Sequence, residues 1–334
     1  MNNEQSTRCF TAPPVRLICL ICLICLLCVA GTAWSQPYPA KPVRVIVPFP
    51  PAGANDIAAR ITFPKVSEQM GQSFIIENRG GAGGTIGTAV VAQSKPDGYT
   101  LLVQSIASHV ANAHLYRKLP YDALRDFVGV APMARLTNVL TVHPALPAYS
   151  IKEFIALAKK RPNEILHGHS GVGSFTHLNG VMFDSRAGVK MLHVPFKGGG
   201  PAVIALLSGE TQVQVAAISE LISHIQSKRL RALGVTTPQR LTALPDVPPI
   251  ADTIPGYESW TLISVYAPTG TPRAIVDRLN AELGKAVNDP DVSARLNQQT
   301  LDPSHRPVDE LNQRMRSDYD IVGKLLKQFD LKLD

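Results

Sequence analysis

From Val43 onward the chain alternates short apolar runs with longer segments of helical period. The apolar runs are rich in β-branched residues and end at Pro, Gly, Ser or Asn, which is how buried strands read. Strands are expected at Val43–Val47, Phe74–Ile76, Thr100–Val103, Val139–Val142, Ile165–His167, Met191–Val194, Gln212–Ala216, Leu230–Val235 and Leu262–Ala267. Helices are expected at Ile57–Met70, Thr85–Gln93, Ile151–Arg161, Phe175–Asp184, Ala202–Ser208, Glu220–Gln226, Arg273–Val287 and Val308–Leu325. Strands alternating with helices predict an α/β protein built on parallel sheets. Val128–Val142 has long extended character and would carry the chain from one lobe to another. Ser259–Ala267 would carry it back, and the helices from Thr271 onward would complete the first lobe.

The stretch before Ser35 follows a different pattern. Arg8 and Arg16 precede a wholly apolar run, Leu17–Val29, and small residues follow at Gly31–Ser35. This is the layout of a secretory signal peptide, with cleavage expected after Ser35. The apolar run falls short of the ~20 residues a membrane span needs. All 5 cysteines (Cys9, Cys19, Cys22, Cys25 and Cys28) fall in this leader, so the exported chain would carry no disulfide. It would have to hold together by its core alone, which about 300 residues can supply. The formal net charge is +7, and removing Glu4, Arg8 and Arg16 leaves +6. That surplus favours anionic ligands by long-range attraction. No Lys/Arg run is dense enough for a nucleic-acid stripe, and Lys228-Arg229-Leu230-Arg231 reads as a solvated helix end.

Candidate chemistry sits in loops that follow strands. Val47-Pro48-Phe49-Pro50-Pro51-Ala52-Gly53-Ala54-Asn55-Asp56 places a turn at Gly53 and potential helix caps at Asn55 or Asp56. Val194-Pro195-Phe196-Lys197-Gly198-Gly199-Gly200-Pro201 repeats the plan: strand, Pro-Phe break, glycine loop, helix start. Free backbone N–H groups and the positive end of a helix dipole make such loops anion sites. Two of them suggest a cleft with matching jaws. Phe49 and Phe196 could wall a ligand or plug the core, and Lys197 is the only fixed charge in either glycine loop. Glu77–Gly87 adds a third glycine-rich helix start. It breaks the dinucleotide spacing, with Gly87 one place late, and lacks the P-loop Lys-Ser/Thr pair, so no nucleotide cofactor is expected. Gln104–His109 sets hydroxyls at the carboxyl end of a strand, where ligands of open α/β sheets bind. Gly168–His177 offers Ser170, Ser174 and Thr176 in the matching place. A nucleophile elbow fails there because Val172 stands where the last Gly belongs. A triad of Ser170, His177 and Asp184 has no spacing that makes it converge. His167 and His169 share a strand face beside His193, without the carboxylate or cysteine spacing of a zinc site.

These motifs together resemble the solute receptors of tripartite tricarboxylate transporters, the Bug family. The matching runs, in order, are V-P-F-P-P-A-G-A-N-D-I-A-A-R (Val47–Arg60), E-N-R-G-G-A-G-G-T-I-G (Glu77–Gly87), K-P-D-G-Y-T-L-L (Lys95–Leu102) and L-H-V-P-F-K-G-G-G-P (Leu192–Pro201). Leu230–Thr236 and Ala267–Pro272 follow. The resemblance implies a two-lobed type II periplasmic binding protein with a central cleft, hinged by two crossover strands. It divides the chain into a signal peptide (1–35), one lobe (36–137 with 257–334) and a second (138–256). It further implies a non-catalytic receptor that captures a small carboxylate and delivers it to the membrane subunits of a tripartite transporter. By the same resemblance, Phe49, Ala52, Gly53, Ala54, Asp56, Gly83, Gly84, Thr85, Ser105 and Ser108 would bind from the first lobe. Ser170, Gly171, Gly173, Ser174, Thr176, His177, Lys197, Gly198 and Ala217 would bind from the second. A receptor feeding a sensor kinase, and more remotely a secreted hydrolase using Ser170, remain open on sequence. Two departures from the family pattern stand out. Ala52 replaces a frequent Gly, and Ala217 replaces an Asp that could meet a ligand's ammonium, which favours a plain acid.

Overall fold

The computed structural model describes residues 38–328. A short unit ends at Ala40, and a compact unit that holds every element below begins at Lys41. The expected signal peptide lies outside the described residues.

Strand β1 (Val43–Val47), an almost wholly apolar and buried run, is the first sheet element. It pairs in parallel with β2 (Phe74–Asn78) on one side and β3 (Thr100–Ser105) on the other. The bidentate Arg44–Glu77 ion pair joins β1 to β2, with Nε to Oε1 at 2.8 Å. Beyond β3 the expectation of parallel sheets fails. Strand β9 (Trp260–Pro268) runs antiparallel to β3, and β4 (Phe127–Val142) runs antiparallel to β9. At Asn138, β4 changes partners. Up to Thr137 it pairs with β9, and from Asn138 it pairs with β7 (Val213–Ala217) and β8 (Arg231–Val235). From β7 the sheet continues in parallel through β5 (Leu166–His169) to β6 (Leu192–Pro195). A short strand, β10 (Leu301–Pro303), pairs with β4 and is absent from the sequence reading. Parallel order therefore holds within each outer half, and β4, which is antiparallel to its neighbours and shared between them, joins the halves.

Ten helices are described: α1 (Ala54–Met70), α2 (Thr85–Ala92), α3 (Ile106–Leu115), α4 (Ile151–Lys160), α5 (Phe175–Ala187), α6 (Gly199–Ser208), α7 (Ile218–Gln226), α8 (Arg273–Asn288), α9 (Pro290–Gln298) and α10 (Val308–Gln328). α3 and α9 correct the sequence reading, which left both segments without a helix. Helices α3 and α5 are capped as their sequences dictate: Ser105 Oγ accepts from Ser108 N at 3.3 Å, and Ser174 Oγ from His177 N at 3.2 Å. The expected caps of α1 are not used. Gly53 is its N-cap, in extended conformation and without a side-chain bond. The residue in the left-handed region is Ala52, at φ 68°. Among the described residues no helix is long and apolar enough to cross a membrane.

Each half of the sheet has its own apolar filling. In one, Val45, Ile46, Phe63, Leu101, Leu102 and Tyr266 are fully buried. In the other, Leu140, Phe154, Phe183, Val213, Val215 and Tyr257 form one cluster. Burying a large side chain contributes about 1.5–3 kcal/mol, so either cluster can support the loops that hang between the halves.

Candidate functional site

The carboxyl ends of the strands face one another across a cleft, and five helices begin there. An inner pocket is lined by Gly53 and Ala54 (α1), Ser105 and Ser108 (α3), Ser174 and Thr176 (α5), Gly199 (α6), and Ala217 and Glu220 (α7). Each helix start has backbone N–H groups without an intrahelical partner, so their dipoles converge. The pocket measures about 40 Å³. A wider outer pocket of about 710 Å³ opens above it, between the glycine run Gly80–Gly84 and the segments Ser170–Val172 and Pro195–Gly198. Phe49, Pro50 and Ser170 line both. Phe49 and Phe196 therefore wall the outer pocket rather than plug a core.

The jaws touch in this structure. Phe175 N donates to Ser108 Oγ at 3.0 Å, and Ala54 N donates to Glu220 Oε1 at 3.2 Å. Gly83 sits so close to the opposite side that an added Cβ would fall 2.2 Å from the carbonyl oxygen of Val172. Its φ of 63° also favours glycine. Hydroxyls form a short relay along the floor. Ser105 Oγ donates to Ser108 Oγ at 2.9 Å, and Thr176 Oγ1 bonds both Ser170 Oγ (2.8 Å) and Ser174 Oγ (2.9 Å).

Of the residues expected to bind, Phe49, Gly53, Ala54, Gly83, Gly84, Ser105, Ser108, Ser170, Gly171, Ser174, Thr176, Lys197, Gly198 and Ala217 line one or both pockets. Ala52, Asp56, Thr85, Gly173 and His177 line neither. Asp56 instead braces the first loop: its carboxylate accepts from Ala52 N (3.0 Å), Arg60 Nε (2.9 Å) and Asn78 Nδ2 (2.9 Å). Burial alone would raise its pKa, but these donors outweigh it and hold the group below the ordinary range. Thr85 Oγ1 donates to the Ala82 carbonyl at 2.9 Å, and Gly173 N donates to His177 Nδ1 at 3.3 Å.

His177 belongs to a histidine cluster behind the pocket. The pairing of β5 with β6 sets His167 opposite His193, Nδ1 to Nδ1 at 2.9 Å, and His169 packs against His177 with ring centres 4.4 Å apart. Asp184 Oδ2 accepts from His193 Nε2 (3.2 Å) and from Met191 N (2.9 Å). Burial, reinforced by mutual repulsion, lowers the pKa of His169 to about 4 and of His177 to about 2. Among the described residues no His, Cys, Asp or Glu group is arranged to hold a metal. The Ser170–His177–Asp184 constellation is not assembled: Ser170 Oγ bonds Thr176, and Asp184 bonds His193.

Sequence reasoning missed Glu220 and Asn138. Asn138 is fully buried at the strand crossing, lines the inner pocket, and neither polar atom of its amide has a partner. Glu220 Oε2 is likewise sealed from solvent without a hydrogen bond. Burial pushes the Glu220 carboxyl up to about 7. The only signal in the sequence was an acid in the first turn of a helix that follows a strand.

The model of the tripartite tricarboxylate transporter family receptor matches residues 58–331. A protein from the tcbD-tcbE intergenic region of Pseudomonas sp. (strain P51) is 38% identical over 296 residues, covering 88% of each chain. The structure of Rpa4515 from R. palustris with adipate is 32% identical with a TM-score of 0.83, covering 87% of this chain and 97% of that one. The structure of the periplasmic binding protein BugD is 29% identical with a TM-score of 0.84, covering 89% of this chain and 100% of that one. The fold is thus that of the two-lobed periplasmic binding proteins.

Proposed function

Because this chain belongs to the tripartite tricarboxylate transporter receptor family, we propose that it is a solute receptor that captures a small carboxylate and delivers it to the membrane subunits of a tripartite transporter. The observation that carries this reading is the convergence of five helix N-termini on one pocket whose lining holds no Lys, Arg or His. Such a pocket recognises negative charge with fixed dipoles and hydroxyls. The adipate bound by the Rpa4515 neighbour is a ligand of that chemistry.

In this reading, residues 1–35 direct export to the periplasm. Residues 36–137 with 257–334 form one lobe, and 138–256 the other. The change of partners along β4 between Thr137 and Asn138 supports that boundary. A ligand bridging the lobes stabilises the closed form by its differential affinity for it, and the closed form is what the membrane subunits engage. No covalent step is needed: the polar groups in the cleft bind and orient.

A thermal-shift panel of mono-, di- and tricarboxylates tests the reading. A true ligand at ~100 times its dissociation constant adds about 2.7 kcal/mol to stability. Deleting the partner membrane subunits should abolish uptake of that same acid. Turnover of an ester substrate, lost in Ser170→Ala, would overturn the proposal, as would stabilisation by no acid at all.

A further inference from the structure

Glu220 sets a puzzle for a carboxylate receptor: the chain puts a carboxyl group of its own where the helix dipoles converge. Its Oε1 accepts from Ala54 N at 3.2 Å. Its Oε2 lies against the first residue of α6, where a Cβ added to Gly199 would come within 2.4 Å. That oxygen is sealed from solvent and has no donor. One N–H for two oxygens, with no Lys, Arg or His in the lining, leaves an ionised carboxylate uncompensated here. The arrangement suits a neutral acid instead: Oε1 is the carbonyl oxygen that accepts from Ala54 N, and Oε2 carries the proton. Glu220 is then a hydroxyl donor without an acceptor. The fully buried Asn138 amide lines the same pocket, and neither of its polar atoms has a partner. Buried polar groups are nearly always paired, so two idle donors at one small space describe a missing acceptor.

A water needs about 10–15 Å³ of such space, so the inner pocket's roughly 40 Å³ takes one small polar head, and the body of a ligand extends into the outer pocket. The titratable groups on the elements around Glu220 face elsewhere. On α1, Asp56 is held by Ala52 N, Arg60 and Asn78. On β4, Arg135 pairs with Asp302, and on α3, His109 bonds the Ala123 carbonyl. On α5, His177 accepts from Gly173 N. Ahead of α6, Lys197 lines the outer pocket and not the inner one. On α7 itself, His224 lies one turn further on and outside the lining. The proton on Glu220 therefore answers to burial, to Ala54 N and to whatever enters the pocket.

We propose that Glu220 meets the ligand as a neutral carboxylic acid, its Oε2–H donating to the ligand's inner carboxylate beside the Asn138 amide, so that capturing the acid and holding this proton are one event. The proposal rests on the carboxylate-receptor reading above and deepens it: the head group is an ionised carboxylate, gripped by helix dipoles, hydroxyls and one protonated acid, with no cation. Burial, against the single hydrogen bond from Ala54, pushes Glu220 up to about 7 in the free protein. A ligand anion beside it raises it further. Below pH 7 the proton is already in place. Above pH 7 the free carboxyl is ionised, and one proton must come from solvent as the acid seats.

The test is calorimetry with the purified protein on butyrate, succinate, adipate and benzoate at pH 6.5 and 8.5, each in two buffers of different ionisation enthalpy. For every acid that binds, Kd should rise about tenfold or more from the lower pH to the higher. The buffer comparison should show close to one proton taken up per acid at pH 8.5 and well under half a proton at pH 6.5. Glu220→Gln, which sets an N–H donor where the O–H stood, should bring the two Kd values together and abolish the uptake. Glu220→Leu, which has no donor, should bind more weakly than Glu220→Gln at both pH values. A Kd and proton count indifferent to pH in the unsubstituted protein overturn the inference and leave the carboxylate receptor standing. So does a proton uptake that survives in Glu220→Gln, or tighter binding by the Leu variant than by the Gln variant, which would make Glu220 an obstacle to the acid. If none of the four acids binds, the receptor reading falls and this one with it.

Discussion

Glu220→Gln also probes the unliganded molecule, through stability rather than affinity. The side chains are nearly isosteric, and the amide oxygen can still accept from Ala54 N, so the change chiefly removes a titration. Glu220 titrates at about 7 in the folded protein against an ordinary 4.5. Below pH 4.5 the group is protonated in folded and unfolded chains alike, and the substitution is neutral. Between 4.5 and 7 the unfolded chain releases its proton while the folded chain holds it, so stability drains away as pH rises. At 1.36 kcal/mol per unit the loss reaches about 3 kcal/mol. The variant escapes that loss. Urea unfolding should show the two proteins matched near pH 4.5 and the variant ahead by up to about 3 kcal/mol at pH 8. A difference that is absent at both pH values, or equal at both, would refute the reasoning. It would mean that water reaches this carboxylate in the free protein and that the jaws stand apart without ligand.

Gly83→Ala should leave a folded protein by circular dichroism but weaken ligand binding by about tenfold or more, because its Cβ is accommodated only by parting the jaws at Val172; each tenfold corresponds to 1.4 kcal/mol. Unchanged affinity would show that full closure is not needed. Ala52→Gly relieves a left-handed alanine at the expense of backbone entropy, ~1–2 against ~0.5–1 kcal/mol, so a gain of up to about 1.5 kcal/mol is expected in denaturant melts. Acid should destabilise the fold from pH 6.5 downward, because burial depresses His109 and His169 to about 4 and His177 further. The unfolded chain takes those protons first. Three histidines outweigh the opposing trend of Glu220, and His169→Gln should flatten the acid limb of a stability–pH curve.

The strands were the legible part of this sequence, because runs such as Val43–Val47 are buried on both faces and need no pattern beyond apolarity. Helix α3 was hidden by its function. Ser108, His109 and Asn112 are buried polar residues, so the inward face of Ile106–Leu115 reads as a polar loop. The antiparallel joining strands escaped the parallel expectation because strand direction leaves no mark on composition. Most of the pocket lining was recoverable from glycine loops that precede helices, since that arrangement is local. Glu220 and Asn138 were not, because their roles depend on which residues lie across the cleft, and Ala54 is 166 positions from Glu220. The surroundings of His177 were hidden for a related reason: it packs against His169 in a cluster completed by His167 and His193, which the β5–β6 register sets opposite each other.

Strand β4 gives its first eleven residues to one half of the sheet and the rest to the other, and its register slips between Gly129 and Ala131, between Pro132 and Ala134, and between Leu140 and Thr141. Each slip is a place where the ladder is interrupted and the strand bends and twists more readily. In the two-lobe reading proposed above, the strand would work as a torsion bar with built-in notches: its unbroken backbone ties the lobes together while the slips let it twist. In that reading the stiffness against which the cleft closes is set along the same strand that lends Leu136 and Asn138 to the pocket, and amide exchange at those three slips, compared with and without a carboxylate, would read it directly.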